Sequence, residues 1–117
     1  MLKKVIAEFV SLSGYESQVS TLLNEEERMA MEFYIACTPE EHPVIPGAGG
    51  FRKARWARRG RGKSGGLRVV YFFLAGPGRI YMAAIYAKSR KETLSAADEN
   101  VLAKLAALIK KAARRGR

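Results

Sequence analysis

Residues 66–87 read GLRVVYFFLAGPGRIYMAAIYA, two runs of aromatic and β-branched residues around a Gly-Pro-Gly turn. This pattern predicts strands at 66–75 and 79–87 joined by a tight hairpin. The first run is apolar at nearly every position except Arg68, which favours a central strand that is covered on both faces. Because a lone charge is costly to bury, we expect Arg68 at an edge of the core where an anion can bind.

Further elements are predicted on both sides of this hairpin. Residues 51–57 and 3–12 have the composition of strands. A first helix is predicted over 15–23, and a second begins after Asn24, where three glutamates follow a capping residue, and runs to about residue 37. Together these elements predict one α+β domain over residues 1–117, with two N-terminal helices, a mostly antiparallel sheet and a C-terminal helix.

Apolar residues in the helices indicate the faces that pack inward. In the second helix we expect these to be Met29, Phe33, Ala36 and Cys37. Ser95 and Asp98 have the spacing of a capping box at the start of the last helix. Its inward stripe is predicted to be Val101, Leu102, Leu105, Leu108, Ile109 and Ala112.

Charge is distributed very unevenly along the chain. Residues 51–91 contain twelve lysines and arginines and no aspartate or glutamate, whereas residues 1–50 contain three basic and eight acidic residues. A basic segment of this kind inside a packed sheet favours a polyanionic partner held on one face, of which nucleic acid is the commonest.

Composition also indicates where the protein acts. The single cysteine, Cys37, lies among apolar residues and is expected to be a buried thiol, as suits a reducing cytoplasm. Residues 2–10 do not have the features of a secretory signal, and no apolar run approaches the roughly 20 residues that span a bilayer. We therefore expect a cytoplasmic protein without a membrane partner.

Most enzyme constellations are absent from the sequence. The only histidine, His42, stands between Glu41 and Pro43 and is expected to be a solvated loop residue. No residues have metal-ligand spacing, and the glycines of GRGKSGG (60–66) are wrongly spaced for a P-loop. The sequence therefore predicts neither a metal nor a cofactor.

The remaining chemistry is that of cations on a phosphodiester. Self-cleavage of RNA by its 2′-hydroxyl needs a proton acceptor, a proton donor and stabilisation of charge on the phosphate. Arginine suits only the last task, whereas a lysine crowded by cations can transfer protons. Lys63 lies in such surroundings, and Lys88 could face it across the sheet. The alternative is a solvated basic loop without a catalytic role.

Aromatic residues near these cations could stack on bases, although in a small domain they more often belong to the core. Tyr86 is the best candidate for stacking, because it stands two residues before Lys88 and shares its face. The other candidates are Trp56, Tyr71 and Tyr81.

Three segments, GAGGFRKARW (47–56), GRGKSGGLRVVYFF (60–73) and GRIYMAAIYAKSRKETLS (78–95), resemble the RelE/HigB branch of type II toxin–antitoxin toxins. The resemblance covers the chain and is strongest over 44–105. It implies a fold similar to microbial ribonucleases and cleavage of mRNA, mostly at the ribosomal A site. It also implies inhibition by a cognate helix-turn-helix antitoxin of the HigA type, with operator DNA bound only through that complex.

Residue roles follow from the same resemblance. Arg68 matches the family's strand arginine that contacts the scissile phosphate, while Arg61, Lys63 and Lys88 match basic positions that move protons or stabilise charge. Some relatives have a stacking tyrosine where this chain has Leu94. We expect the other basic residues of the segment, with Tyr86, to contact RNA or the ribosome: Arg52, Lys53, Arg55, Arg58, Arg59, Arg90 and Lys91.

Two other functions remain open. The related ParE branch inhibits DNA gyrase by binding it, without nuclease activity. A basic nucleic-acid-binding module without toxicity is the third possibility. The cluster of Arg61, Lys63, Arg68 and Lys88 favours the endoribonuclease.

Overall fold

The computed structural model describes residues 7–58, 66–89 and 94–116. Within these ranges the chain forms four strands and three helices, and the predicted α+β class is confirmed. Residues 3–6, predicted to belong to the first strand, lie outside the described residues. The elements are β1 (Glu8–Ser11), α1 (Tyr15–Leu22), α2 (Glu25–Cys37), β2 (Arg52–Ala57), β3 (Gly66–Leu74), β4 (Arg79–Ala87) and α3 (Ala96–Arg115).

The described strands form one sheet in the order β1-β4-β3-β2. Strand β3 is antiparallel to both β2 and β4, and β1 runs parallel to β4. The central position predicted for β3 is confirmed, and its residues from Leu67 to Phe72 are all buried. The predicted hairpin is also confirmed, since Gly78 has a φ of +69° and its N–H donates to Leu74 O at 3.1 Å.

Two apolar clusters cover the two faces of the sheet. Packing of α1 and α2 on one face buries Tyr15, Val19, Met31, Ile35, Leu67, Val69 and Tyr71. The other face is covered by α3 and by the segment that precedes β2. The second cluster contains Ile45, Ala48, Phe51, Val70, Phe72, Leu102, Ala106 and Ile109.

Polar contacts join α1 to α2 beside the first cluster. Tyr15 Oη donates to Glu32 Oε2 at 2.7 Å, and Arg28 donates to both carboxylate oxygens of Glu16 at 2.8 and 2.7 Å. Burial and the Glu32 carboxylate raise the pKa of Tyr15. Arg28, followed by the hydroxyl of Ser11, lowers the pKa of Glu16 to about 2.

The inward face predicted for α2 is wrong at Met29, Phe33 and Cys37, whereas Ala36 is half-buried and packs against the first cluster as expected. The residues that contact α1, Arg28 and Glu32, share a helix face with Met31 and Ile35, and the latter two are fully buried. Met29 and Phe33 lie on another face and are 67% and 64% exposed. Cys37 follows them at the same spacing, and its thiol is exposed rather than buried.

In α3 the predicted capping box is confirmed, because Ser95 and Asp98 each accept the other's backbone N–H at 3.1 Å. The predicted stripe is partly wrong: Val101 and Leu108 are 57% and 63% exposed, and Ala112 is also exposed. Leu102 and Ile109 are buried and Leu105 is half-buried, as expected, and Ala106, which was not predicted, is buried as well.

Close approach to a glycine explains how α3 is rotated about its axis. A Cβ atom added at Gly49 would lie 2.9 Å from Ala106 Cβ and 3.0 Å from Ala103 Cα. The face of α3 that carries Ala103 and Ala106 therefore packs against the loop that contains Gly49. Lys110 Nζ also donates to Gly49 O at 3.0 Å. Among the described residues, none of the helices has the length and apolar character of a bilayer span.

Candidate functional site

The register of the sheet places Arg55, Arg68 and Tyr86 in one row across three strands. Arg68 is the partner of Arg55 on β2 and of Tyr86 on β4. Directly opposed residues of antiparallel strands project from the same face, with Cβ atoms about 5 Å apart. Because Tyr86 packs against the second cluster, the row lies on the sheet face that α3 covers.

Arg68 occupies an unusual position for an arginine. It is only 9% exposed, and Nη1 makes a long hydrogen bond of 3.4 Å to Leu67 O. Within residues 7–58, 66–89 and 94–116 no carboxylate forms an ion pair with it. Because burying an uncompensated charge is unfavourable, this guanidinium is suited to receive an anion from outside.

A cleft of about 280 Å³ opens beside Arg68. Lys53 and Arg55 line it together with Pro43, so among the described residues three cations and no carboxylate surround the space. Strand alternation explains the grouping, since Lys53 and Arg55 are two residues apart on β2 and point to the same face. The edge-of-core position expected for Arg68 is confirmed.

Tyr86, the β4 member of this row, is followed two residues later by Lys88. Tyr86 is half-buried, and Lys88 is exposed just after the end of the strand. The N–H of Lys88 donates to Gly66 O at 3.0 Å, which continues the ladder by one residue and places Lys88 diagonally across from Arg68. The structure thus gathers five of the expected site residues on one face: Lys53, Arg55, Arg68, Tyr86 and Lys88.

Arg52 has a different environment. It is the partner of Tyr71, which belongs to the cluster on the opposite face of the sheet. Its Nη1 donates to His42 O at 2.7 Å and to Glu40 O at 3.2 Å, so Arg52 fixes the segment that follows α2.

The other expected residues are less informative. Arg58 follows β2 and is half-buried. Arg59, Arg61, Lys63, Arg90 and Lys91 lie outside the described residues.

His42 is not the solvated residue that the sequence predicts. It is 9% exposed, and its ring lies edge-on to Tyr34 and Tyr71, with centroid distances of 5.2 and 6.1 Å. Thr38 Oγ1 donates to Tyr34 O at 2.8 Å, so His42 Nε2, 2.9 Å away, donates to that hydroxyl. Burial lowers the pKa of His42. In the sequence, the nearby indication of this hydrogen bond is Thr38, four residues before His42.

The other aromatic residues support the core. Tyr71 is fully buried and its hydroxyl donates to Pro39 O at 2.8 Å, while Trp56 and Tyr81 pack against the two clusters. Over the described part of the chain, no group of three or more His, Cys, Asp or Glu residues is placed to hold a metal ion.

Sequence reasoning missed the wall of the cleft. Pro43 lines the cleft, and the residues after it continue as a loop against Lys53 and the start of α3. The proline and glycine content of residues 43–50 marked a loop but not its contact with the basic strand.

Two comparisons relate this geometry to known proteins. The sequence model of the RelE toxin of the RelE/RelB toxin–antitoxin system matches residues 47–116, which include β2, β3, β4 and α3. A solved structure of a free mutant of the E. coli toxin RelE is similar, with 15% identity and a TM-score of 0.46, over 75% of this chain and 87% of that one. This structural similarity is too weak to transfer residue roles. The match over more than half of the sequence shows that the chain belongs to the RelE toxin family.

Proposed function

We propose that this toxin is an endoribonuclease that cuts mRNA on the ribosome, with Arg68 binding the scissile phosphate. The observation that carries the proposal is the environment of Arg68. Its guanidinium is 9% exposed, has no ion-pair partner among the described residues, and lines a cleft with Lys53 and Arg55.

Electrostatics favour a phosphate in this cleft. Arg55 and Arg68 are direct cross-strand partners, and like charges in that relationship destabilise a sheet. A bound phosphodiester, with its single negative charge, would lie between the two cations and reduce their mutual repulsion, and a planar guanidinium matches two phosphate oxygens at once.

The proposed reaction uses only groups of the RNA and of the protein. The 2′-hydroxyl gives its proton to a base as its oxygen bonds to phosphorus, and the bond from phosphorus to the 5′-oxygen breaks. An acid then protonates the leaving oxygen, which yields a 2′,3′-cyclic phosphate and a 5′-hydroxyl. Arg68 stabilises charge on the phosphate but is unsuited to proton transfer, because an arginine keeps its proton.

Proton transfer is assigned to the neighbouring basic residues. Lys88 lies diagonally across from Arg68, and Lys63 stands before β3 in the sequence. Arg61, also before β3, would stabilise charge on the phosphate, because an arginine keeps its proton. Which of the two lysines is base and which is acid stays open in the proposal. In this proposal Tyr86, the other cross-strand partner of Arg68, contacts a nucleobase of the RNA.

The proposed partners rest on the resemblance to the RelE/HigB toxins and on the proposed substrate. A helix-turn-helix antitoxin of the HigA type would neutralise the toxin, and operator DNA would be bound only through that complex. Translated mRNA is the substrate, so the proposed site of action is the cytoplasm.

Induction of the toxin in cells tests this proposal. We expect growth arrest and new 5′ ends within the codons of translated messages. Arg68→Ala should abolish both effects, while the variant still binds the antitoxin. Arg114→Ala is the matched control, since this exposed arginine lies about 22 Å along α3 from Glu99, which is in the first turn of the helix, near Lys53. Intact messages accompanied by cleaved DNA would contradict the proposal and support inhibition of gyrase.

A further inference from the structure

A second cavity, of about 230 Å³, lies beside the cationic cleft and shares Pro43 and Lys53 with it. Pockets for drug-sized ligands usually measure about 300–1,000 Å³, so this one suits a single ring system. Among the described residues its walls are apolar except for one cation, Lys53, and one carboxylate, Glu99. The remaining lining residues are Val44, Ile45, Pro46, Leu94 and Glu99.

The apolar wall is held in place by β2. The N–H of Lys53 donates to Pro43 O at 2.9 Å, and the N–H of Ile45 donates to Phe51 O at 2.8 Å. Val44 forms an isolated antiparallel bridge with Arg52 between these two bonds. The exposed side chains of Pro43, Val44 and Pro46 therefore form a fixed apolar surface, suited to the face of a flat ring.

Glu99 closes the cavity from the first turn of α3. A Cβ atom added at Gly47 would lie 3.2 Å from Glu99 Oε1, so the carboxylate approaches the loop where no side chain intervenes. Gly47 has a φ of +76°, which residues other than glycine rarely adopt. The glycine therefore allows both this backbone conformation and the close approach of the Glu99 carboxylate.

The Glu99 carboxylate can accept further hydrogen bonds. Among the described residues it has neither an ion pair nor a side-chain hydrogen bond, although Lys53 lines the same cavity. A carboxylate in the first turn of a helix is favourable for the helix dipole alone. That effect does not explain why it faces an apolar cavity next to the phosphate cleft.

We propose that this cavity binds one nucleobase of the RNA whose phosphate occupies the cationic cleft, and that it prefers guanine. This inference rests on the proposed function. Guanine presents two adjacent N–H donors, at N1 and N2, which match the two oxygens of Glu99. Its O6 accepts a hydrogen bond from the ammonium group of Lys53. Uracil has one N–H between two carbonyls, and those carbonyls would face the carboxylate.

Binding of short RNAs to the full-length protein tests the base preference. The probes are labelled single strands that differ only at one central base (guanine, inosine, adenine, cytosine or uracil), with 2′-deoxyribose at that nucleotide to prevent cleavage. Discrimination by a bidentate contact is about 1–3 kcal/mol, so guanine should bind roughly 5- to 150-fold more tightly than uracil. Inosine lacks the N2 amine and should fall between them. Equal affinity for guanine and uracil would overturn the proposal.

Glu99→Gln should reduce this preference to less than about threefold, because the amide replaces one acceptor with a donor. Gly47→Ala should reduce it in the same direction by displacing the carboxylate. Glu26→Gln, which neutralises an exposed carboxylate on α2, is the matched control and should retain the preference. Thermal melts establish that each variant is folded. A folded Glu99→Gln variant with the full guanine preference would overturn the inference.

Arg68→Ala separates this inference from the proposed function. This substitution should weaken binding of all five RNAs by a similar factor and leave the preference for guanine intact. If Arg68→Ala binds every RNA as tightly as the parent protein, the phosphate assignment fails. If it weakens binding while Glu99→Gln leaves the preference unchanged, only the guanine site fails.

Discussion

Arg55 and Arg68 are direct cross-strand partners on β2 and β3, and both side chains line the same cleft. Two like charges in this relationship destabilise a sheet by a few tenths to about 1 kcal/mol. Burial of Arg68 adds a desolvation cost. A pair that is unfavourable for folding and favourable for an anion is the kind of compromise between stability and activity found at functional sites.

Replacing Arg68 with methionine should therefore stabilise the fold while it removes toxicity. We expect the free energy of unfolding to rise by about 0.5–1 kcal/mol, measured by urea denaturation at low salt. Arg79→Met is the control, because Arg79 Nε is paired with Glu8 Oε1 at 2.6 Å and should give no such gain. A loss of more than about 1 kcal/mol in Arg68→Met would mean that the guanidinium supports the fold.

Salt should weaken RNA binding steeply if the cationic cleft holds phosphates. Each neutralised phosphate of a single strand contributes about 0.7 to the slope of log K against log salt. Arg68→Ala and Lys53→Ala should each reduce the slope by about that amount. The measurement is a fluorescence anisotropy titration between 50 and 300 mM salt. A slope that is unchanged in both variants would place the binding surface elsewhere.

Burial of His42 predicts a loss of stability in mild acid. Its pKa is lowered in the folded protein, so the unfolded chain binds more protons once the pH falls below about 6.5. The stabilising contribution is therefore present above that value and is lost as the pH falls through the folded pKa. Urea denaturation from pH 7.5 to 5.5 should show this decline. His42→Gln should flatten the curve, and an equal decline in that variant would assign it to another group.

Gly49 should be intolerant of any side chain. Its φ of +70° is in the left-handed region, and a methyl group would meet Ala106 Cβ at 2.9 Å. Gly49→Ala should lower the free energy of unfolding by about 2 kcal/mol through backbone strain and displacement of α3. Gly76→Ala is the control, since its Cβ would meet nothing within 4 Å. Similar losses in both variants would show that α3 does not depend on this contact.

Strand positions and helix starts were predicted well, because both depend on residues that are close together in the sequence. Strand β2 was expected at 51–57 and lies at Arg52–Ala57, and β4 was expected and found at 79–87. Aromatic and β-branched side chains indicate a strand, and turn residues mark where it ends. The capping residues likewise marked the start of α2 and of α3.

Helix faces and long-range contacts were harder to predict. In α2 two apolar stripes compete, Met29–Phe33 and Met31–Ile35. The second stripe is buried in the first cluster, next to the contacts that Arg28 and Glu32 make with α1. Of the two aromatic rings beside His42, that of Tyr71 comes from a distant part of the chain.

The site was predicted only in part for the same reason. The sequence singled out Arg68, but its pairing with Arg55 depends on a register that the sequence does not reveal. Arg52 and Arg55 both belong to the basic segment, yet strand alternation places them on opposite faces of the sheet. The expected positions of Arg61 and Lys63 beside Arg68 stay predictions, because both residues lie outside the described part of the chain.

Product analysis in a purified translation reaction tests the central claim most directly. The wild-type protein should cut ribosome-bound mRNA and leave 2′,3′-cyclic phosphate and 5′-hydroxyl ends. Arg68→Ala should cut at least about 100-fold more slowly, as expected when one group that stabilises transition-state charge is removed. Cleavage by Arg68→Ala at the wild-type rate, or products with 5′-phosphate ends, would contradict the assignment.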